Sequence, residues 1–294
     1  MQPANSQISM NRKTCIIVSG PTAVGKTDRA IELALQYNTE IISADSRQCY
    51  KELEIGVAKP SLSQLQKVKH YFINSHSIHE EVNAKVFEEY ALKAVHEIFE
   101  KNDTAIMVGG TGLYIKAFAE GFDDFPEVEE NIRKEINEEY KAKGFSWLQT
   151  QVKEHDPLFF DKGEIENPQR IIRALEVKLS TGKSILELYS GQKAKRDFEI
   201  KHILLDLPRE QLYKNINHRV DEMMSAGLLQ EVQSMFEYKE LNALQTVGYR
   251  ELFNYLEGNI SLEEAVEEIK KNTRHYAKRQ MTWFRKMIPE EESR

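Results

Sequence analysis

The chain has 294 residues, 40% hydrophobic and 30% charged, with a net charge of −7. That size and ordinary composition suit one large domain or a core with a smaller companion. The negative balance excludes a polycation built as a whole for nucleic acid, so any RNA must meet a local basic surface.

No run of about 18 apolar residues occurs, so no segment is expected to span a membrane. The first residues, MQPANSQISMNRK, lack the apolar core of a secretory signal. Cys15 and Cys49 are far apart and lack metal-ligand spacing. The chain is therefore expected in the cytoplasm with reduced thiols, Cys15 buried in an apolar run.

In chain order, residues 1–12 are polar and expected to fray. Thr14–Ser19 (TCIIVS) is a β-branched apolar run and predicts a buried parallel strand. Asp28–Tyr37 carries helical apolar spacing, and Glu40–Ala44 (EIISA) predicts a second strand. Val86–Lys101 predicts an amphipathic helix, and Thr104–Val108 (TAIMV) a third strand closed by Gly109-Gly110. This alternation predicts an α/β fold, a P-loop NTPase-like parallel sheet flanked by helices. From Asp123 the pattern turns helical and highly charged, which predicts a helical insertion domain over 123–196 within a core made of 13–122 and 197–288. Ile200–Leu207 returns to a strand stopped by Pro208, and the remainder is helical to Lys286, followed by a polar tail. The acids at 123, 124, 127, 129 and 130 read as a solvated run, and His70, His76 and His79 fit no zinc spacing.

The strongest motif is Gly20-Pro21-Thr22-Ala23-Val24-Gly25-Lys26-Thr27, which fits G-x-x-x-x-G-K-[ST] between a strand and a helix. Gly20 and Gly25 let the backbone curl so that its N–H groups face phosphate oxygens, and the helix start favours an anion. Lys26 adds a point charge, and the Thr27 hydroxyl is a ligand for Mg²⁺. Conventional P-loop NTPases hold the metal with an acid at another strand end. TAIMV ends without one, whereas EIISA is followed by Asp45. Asp45 reads as a metal ligand, a general base, or the cap of the segment after it.

Further blocks resemble those of the tRNA dimethylallyltransferase family. They are Asp45-Ser46-Arg47-Gln48, Ile55-Gly56 and Ala58-Lys59-Pro60; Gly109-Gly110-Thr111-Gly112-Leu113-Tyr114; Asn167-Pro168-Gln169-Arg170-Ile171 and Arg173-Ala174-Leu175-Glu176; Thr246-Val247-Gly248-Tyr249-Arg250-Glu251; and the run from Thr273-Arg274 to Thr282-Trp283-Phe284-Arg285. They come in family order across roughly residues 14–286. Cys49 and Val57 depart from the family's usual aliphatic residue and threonine without changing a charge.

The resemblance implies dimethylallyl diphosphate as donor, with Mg²⁺, and adenosine-37 of a tRNA anticodon stem-loop as acceptor. The adenine amine is a poor nucleophile, so catalysis must favour pyrophosphate departure and aim the amine. Lys26, the P-loop and Arg219 would grip the diphosphate. Asp45 would take a hydrogen bond or proton from the amine, and Thr111 would sit near the bridging oxygen. Arg219 also reads as one half of a surface ion pair. The base must leave the stack to react. Implied tRNA contacts are Asp45, Ser46, Arg47, Gln48, Thr111, Arg133, Gln169, Arg170, Gly248, Tyr249, Arg250, Lys278 and Arg279.

Between Lys270 and Lys286 stand seven Lys or Arg and no acid, with Tyr276, Trp283 and Phe284 interleaved. This reads as an RNA-facing stripe, or as a solvated helix face with its aromatics in the core. No protein partner is implied and a monomer is expected. Two other classes stay open: a P-loop small-molecule kinase, and a non-catalytic tRNA-binding module that senses nucleotide.

Overall fold

The computed structural model describes residues 12–288, with Asp124 and Glu127 excepted. The expected fraying of the first residues and the polar tail therefore lie almost wholly outside the described residues, as do those two members of the acid run.

Five strands form one parallel sheet in the order β3-β2-β4-β1-β5. They are β1 Thr14–Ser19, β2 Ile41–Ser43, β3 His70–Tyr71, β4 Thr104–Gly109 and β5 Glu199–Leu204. The fold class is the one expected from the sequence. Strand β3 was not anticipated, because two residues at a sheet edge carry no readable pattern. Strand β5 ends at Leu204, short of the expected Leu207, and Pro208 instead stands at the start of the next helix.

Burial on both sheet faces explains why the central strands are continuously apolar. Cys15 and Ile17 of β1, with Ala105 and Met107 of β4, face one core. Ile16 and Val18, with Ile106 and Val108, face the other. The second core is covered by α1 (Lys26–Gln36) through Ala30, Ile31, Leu33 and Ala34. The first receives α3 (Ala84–Phe99), α4 (Gly112–Glu120), α12 (Tyr249–Leu256) and α13 (Leu262–Met287). The short helix α2 (Leu62–Lys67) precedes β3. Cys15 is fully buried, and burial alone pushes its thiol up strongly.

The described residues divide into two compact units, one of 12–122 and 194–288, the other of 123–193. The second is all helix: α5 (Glu130–Lys143), α6 (Phe145–His155), α7 (Pro157–Lys162), α8 (Pro168–Thr181) and α9 (Ile185–Leu188). Its own core gathers Ile136, Leu148, Val152, Ile171 and Leu175. Asn167 caps α8 by accepting from the Gln169 and Arg170 amides, with Pro168 in the first turn.

The chain rejoins the first unit at Ala194, slightly before the boundary read from sequence texture. The Ala194 N–H donates to the Glu120 carbonyl at 2.7 Å. Arg196 donates to the carbonyls of Phe118 and Ala117 and pairs with buried Glu88 at 2.7 Å. The C-terminal half of the first unit adds α10 (Arg209–Ser225) and α11 (Leu228–Ser234) before α12. No helix of the described residues is long and apolar enough to cross a membrane.

Arg196→Ala strips a buried carboxylate of its main partner. The unfolding free energy in urea is expected to fall by about 3–5 kcal/mol. A loss below about 1 kcal/mol would show that Glu88 is stable without it.

Candidate active site

Parallel alignment puts the carboxyl ends of β1, β4 and β2 side by side, and each continues into one of the motifs. After β1 comes the Gly20–Thr27 loop. Gly20 has φ 146°, and a Cβ there would stand 2.6 Å from the Leu205 carbonyl oxygen, so only glycine fits. Gly25 sits at the start of α1 in the left-handed conformation, without a side-chain cap, which leaves the first N–H groups of α1 open to an anion. These groups line a cavity of about 260 Å³ with Lys26, Thr27, Asp45, Arg219, Tyr276 and Gln280.

The Lys26 ammonium donates to the Pro21 carbonyl at 2.6 Å. Burial pushes its pKa down to about 7; Asp45 opposes that shift and Arg219 adds to it. Arg219, on α10, is half-buried and donates to the Thr22 hydroxyl at 3.4 Å. It lines the cavity rather than standing in a surface ion pair.

Asp45 follows β2, and the expected cap is made through one of its two oxygens. Its Oδ1 accepts from the Arg47 and Gln48 amides at 2.9 and 3.3 Å, which fixes the turn after the strand. Oδ2 takes no hydrogen bond among the described residues, and the residue lines both this cavity and a neighbouring one of about 330 Å³. The second cavity also holds Ser46, Arg47 and Arg279, and its apolar wall is Val57, Ile216, Val220, Met223, Leu228 and Ile269. Asp45, Arg219 and Tyr276 belong to both cavities. An anion cradle thus shares one wall with a cavity that is apolar on one side and lined on the other by Arg47, Arg219, Arg250 and Arg279.

Thr111, after β4, does not line either cavity. Its hydroxyl accepts from the Ser46 amide at 3.1 Å, lies 3.4 Å from the Ser46 hydroxyl and is hydrogen-bonded with the Tyr276 phenol, bracing the Asp45 turn. Gln48 is likewise engaged, its amide donating to the Val57 and Ala58 carbonyls at 3.2 and 3.0 Å.

The Gly248–Glu251 stretch needs the clearest correction. Tyr249 was expected on the RNA surface, yet it is fully buried and its hydroxyl bonds Glu231. Glu251 is also buried; it accepts from the Gly248 amide at 2.8 Å and from Asn272 at 2.7 Å. Of the expected contacts here, Gly248 lines the apolar cavity and only Arg250 is exposed. In the helical unit, Gln169 and Arg170 are exposed, with Arg170 paired to Glu164. Arg133 binds buried Glu176 at 3.1 Å.

The basic helix α13 is less uniform than its sequence. Lys270 pairs with Asp221 and Glu267, and Arg285 with Asp206. Arg274 donates to Asn217 at 2.7 Å. Lys271, Lys278, Arg279 and Lys286 form no ion pair among the described residues. Lys278 and Arg279 diverge: Arg279 faces the apolar cavity, and Lys278 faces a separate groove with Arg209 and Tyr213. Phe284 is buried, whereas Tyr276 and Trp283 are about a third exposed. Burial of its hydroxyl end, then the Asp45 carboxylate, push the Tyr276 phenol up to about 12, so it is a neutral donor.

Two residues of α13 do more at the site than the sequence showed. Tyr276 is one. The other is Gln280, whose Oε1 accepts from the Thr22 amide and whose Nε2 donates to the Gly110 carbonyl, both at 2.9 Å. A Cβ at Gly110 would lie 2.3 Å from that nitrogen. The glycines after β4 therefore admit α13. A polar residue on the buried side of an otherwise amphipathic helix was the signal available.

The family model described as IPP transferase matches residues 48–287. This chain belongs to the IPP transferase family. It is 46% identical over 280 residues to the tRNA dimethylallyltransferase of Flavobacterium johnsoniae, covering 93% of this chain and 91% of that protein. Its identity with the tRNA dimethylallyltransferase of Cytophaga hutchinsonii is 43%, covering 95% and 92%. Among solved structures it resembles the tRNA isopentenylpyrophosphate transferase of Bacillus halodurans, with 34% identity, TM-score 0.67, and 93% and 87% of the two chains covered. A eukaryotic dimethylallyltransferase acting on tRNA aligns with TM-score 0.76 at 28% identity, covering 92% of this chain and 70% of that one.

The low Lys26 pKa carries a pH prediction. A bound diphosphate favours the ammonium, so affinity is complete below about pH 7 and falls as pH rises, toward tenfold per unit. Calorimetric titration with an alkyl diphosphate should show this in the native protein and lose it in Lys26→Arg. A flat native profile would contradict the assignment.

Proposed function

We propose that this IPP transferase moves a dimethylallyl group from its diphosphate to the exocyclic N6 amine of adenosine-37 in tRNA. The observation that carries the reading is the wall of Asp45, Arg219 and Tyr276 shared by an anion cradle and a cavity with an apolar side. A prenyl diphosphate has the same two-part character. The tRNA dimethylallyltransferases among its relatives support the acceptor.

In this arrangement the P-loop amides, the Lys26 ammonium and the Arg219 guanidinium face the oxygens on which charge builds as the allylic C–O bond breaks. Groups fixed in advance at developing charge lower a barrier most effectively. Asp45, immobilised through Oδ1, presents Oδ2 to the adenine amine and receives its proton as the new C–N bond forms. Tyr276 offers a ring edge for the everted base, with the Arg279 guanidinium 5.8 Å from its centroid. Thr111 acts through Ser46 on the Asp45 turn.

Thr27 would hold Mg²⁺. Its hydroxyl shares the cradle with Asp28 and Asp45, and among the described residues no group of three or more His, Cys, Asp or Glu forms an all-protein cage. That donor set fits a hard ion shared with diphosphate oxygens and water. When bound, it neutralises charge on the leaving pyrophosphate. Arg250, Arg279 and Lys278, with Gln169, Arg170 and Arg133 of the helical unit, are the proposed tRNA contacts. That one chain supplies both cradle and pocket supports a monomer, and a tRNA acceptor supports a cytoplasmic location.

Incubation with radiolabelled dimethylallyl diphosphate, Mg²⁺ and bulk tRNA should yield labelled N6-dimethylallyladenosine on nucleoside analysis. Failure to label tRNA, with phosphate transfer from a nucleoside triphosphate to a small acceptor, would favour a kinase.

Asp45→Ala should lower turnover by about 10²–10⁴-fold with tRNA affinity little changed. Near-normal turnover would remove Asp45 from the chemistry. Changing Lys278 and Arg279 together to alanine should weaken tRNA binding and reduce the salt slope by about one to two. An unchanged slope would take these cations off the RNA surface.

A further inference from the structure

Three consecutive amides converge on one side chain outside the cavities. The carboxylate of Glu231, on α11, accepts from Glu54 N–H at 3.1 Å and Ile55 N–H at 2.7 Å through Oε2. Through Oε1 it accepts from Gly56 N–H at 2.9 Å and from the Tyr249 hydroxyl. Successive N–H groups turned inward form a nest that binds an anion, and here the anion is a residue of the chain itself. Four donors on one carboxylate are charge-assisted bonds, each stronger than a neutral pair.

The segment held this way forms part of the apolar side of the second cavity. Gly56, Val57 and Ala58 all line it. Ala58 is held at φ 48°, a conformation that needs outside support. Gln48 fastens the same segment from the other side through the Val57 and Ala58 carbonyls. Gly56 also lets the wall approach closely, since a Cβ there would fall 2.5 Å from the Tyr249 ring and 2.9 Å from Leu228. Leu228, three residues before Glu231 on α11, is itself part of the cavity lining. The Ile55-Gly56 and Gly248-Tyr249 motifs are thus two halves of one clamp with Glu231 as its pin.

We propose that Glu231 is a positioning residue. It sets the depth of the donor's hydrocarbon pocket by fixing the 54–58 wall, and so governs how long a prenyl chain is accepted. This rests on the reading that the apolar side of that cavity takes the prenyl group while its arginine side meets the tRNA. Glu231→Gln replaces one carboxylate oxygen by an NH₂ that faces amide donors, so the wall loses one side of its anchor. Tyr249→Phe removes a single donor and leaves the three amides in place.

The test is steady-state kinetics on tRNA with dimethylallyl and geranyl diphosphate, run below the measured Tm of each variant. For Glu231→Gln, the dimethylallyl diphosphate KM is expected to rise roughly tenfold, the scale of one charge-assisted hydrogen bond, with kcat changed less than about threefold. The geranyl-to-dimethylallyl ratio of kcat/KM should rise by at least about threefold, and Tyr249→Phe should move it the same way by less. A native enzyme that transfers normally, with a ratio unchanged in both variants or with only kcat lowered, overturns the role of Glu231 alone. A native enzyme that transfers no prenyl group overturns the function itself. Should Glu231→Gln fail to fold, the Tyr249→Phe ratio decides: a rise supports the clamp and no change overturns it.

Discussion

A leaving pyrophosphate has to be met by donors already in place, and meeting it at one edge of a parallel sheet constrains everything else in this chain. Because β1, β4 and β2 run the same way, their carboxyl ends deliver the anion loop, the Gly109–Gly112 turn and Asp45 to one spot. Burying both faces of those strands anchors the delivery, since sliding a strand by one residue would exchange its two apolar cores.

Helix α13 joins the anion loop to the second cavity. Gln280 ties the anion loop to the turn after β4, while Tyr276 and Arg279, within one turn of it, face the cavities. Binding at either side therefore bears on a single rigid element. Gly110 and Gly112 permit the approach, because a Cβ at Gly112 would sit 2.2 Å from the Trp283 ring. What looks like a catalytic glycine motif is in part a packing seat for a helix whose Gln280 lies 170 residues from Gly110 in sequence.

Much of this was legible in the chain. The strands β1 and β4 could be read because they are fully buried and β-branched or apolar throughout, and the anion loop because its glycines and lysine have no cheaper purpose. Asp45 was placed by its position after a strand. The sequence could not show that one of its oxygens is spent on its own turn. Tyr249 misled because the resemblance put its block among the tRNA contacts; only the fold reveals Glu231 beneath it. The basic run misled in a milder way. Lys270 and Arg285 find their acids on α10 and just after β5, partners that helix periodicity cannot announce. Strand β3 is too short to have a pattern at all.

The most direct measurement is a crystal structure with a tRNA anticodon stem-loop and an unreactive thiol analogue of dimethylallyl diphosphate. The account predicts diphosphate oxygens within hydrogen-bond reach of the Gly20–Thr27 amides and Lys26, with the adenine N6 against Asp45 Oδ2. A diphosphate seated away from the loop, or a base out of reach of Asp45, would contradict it.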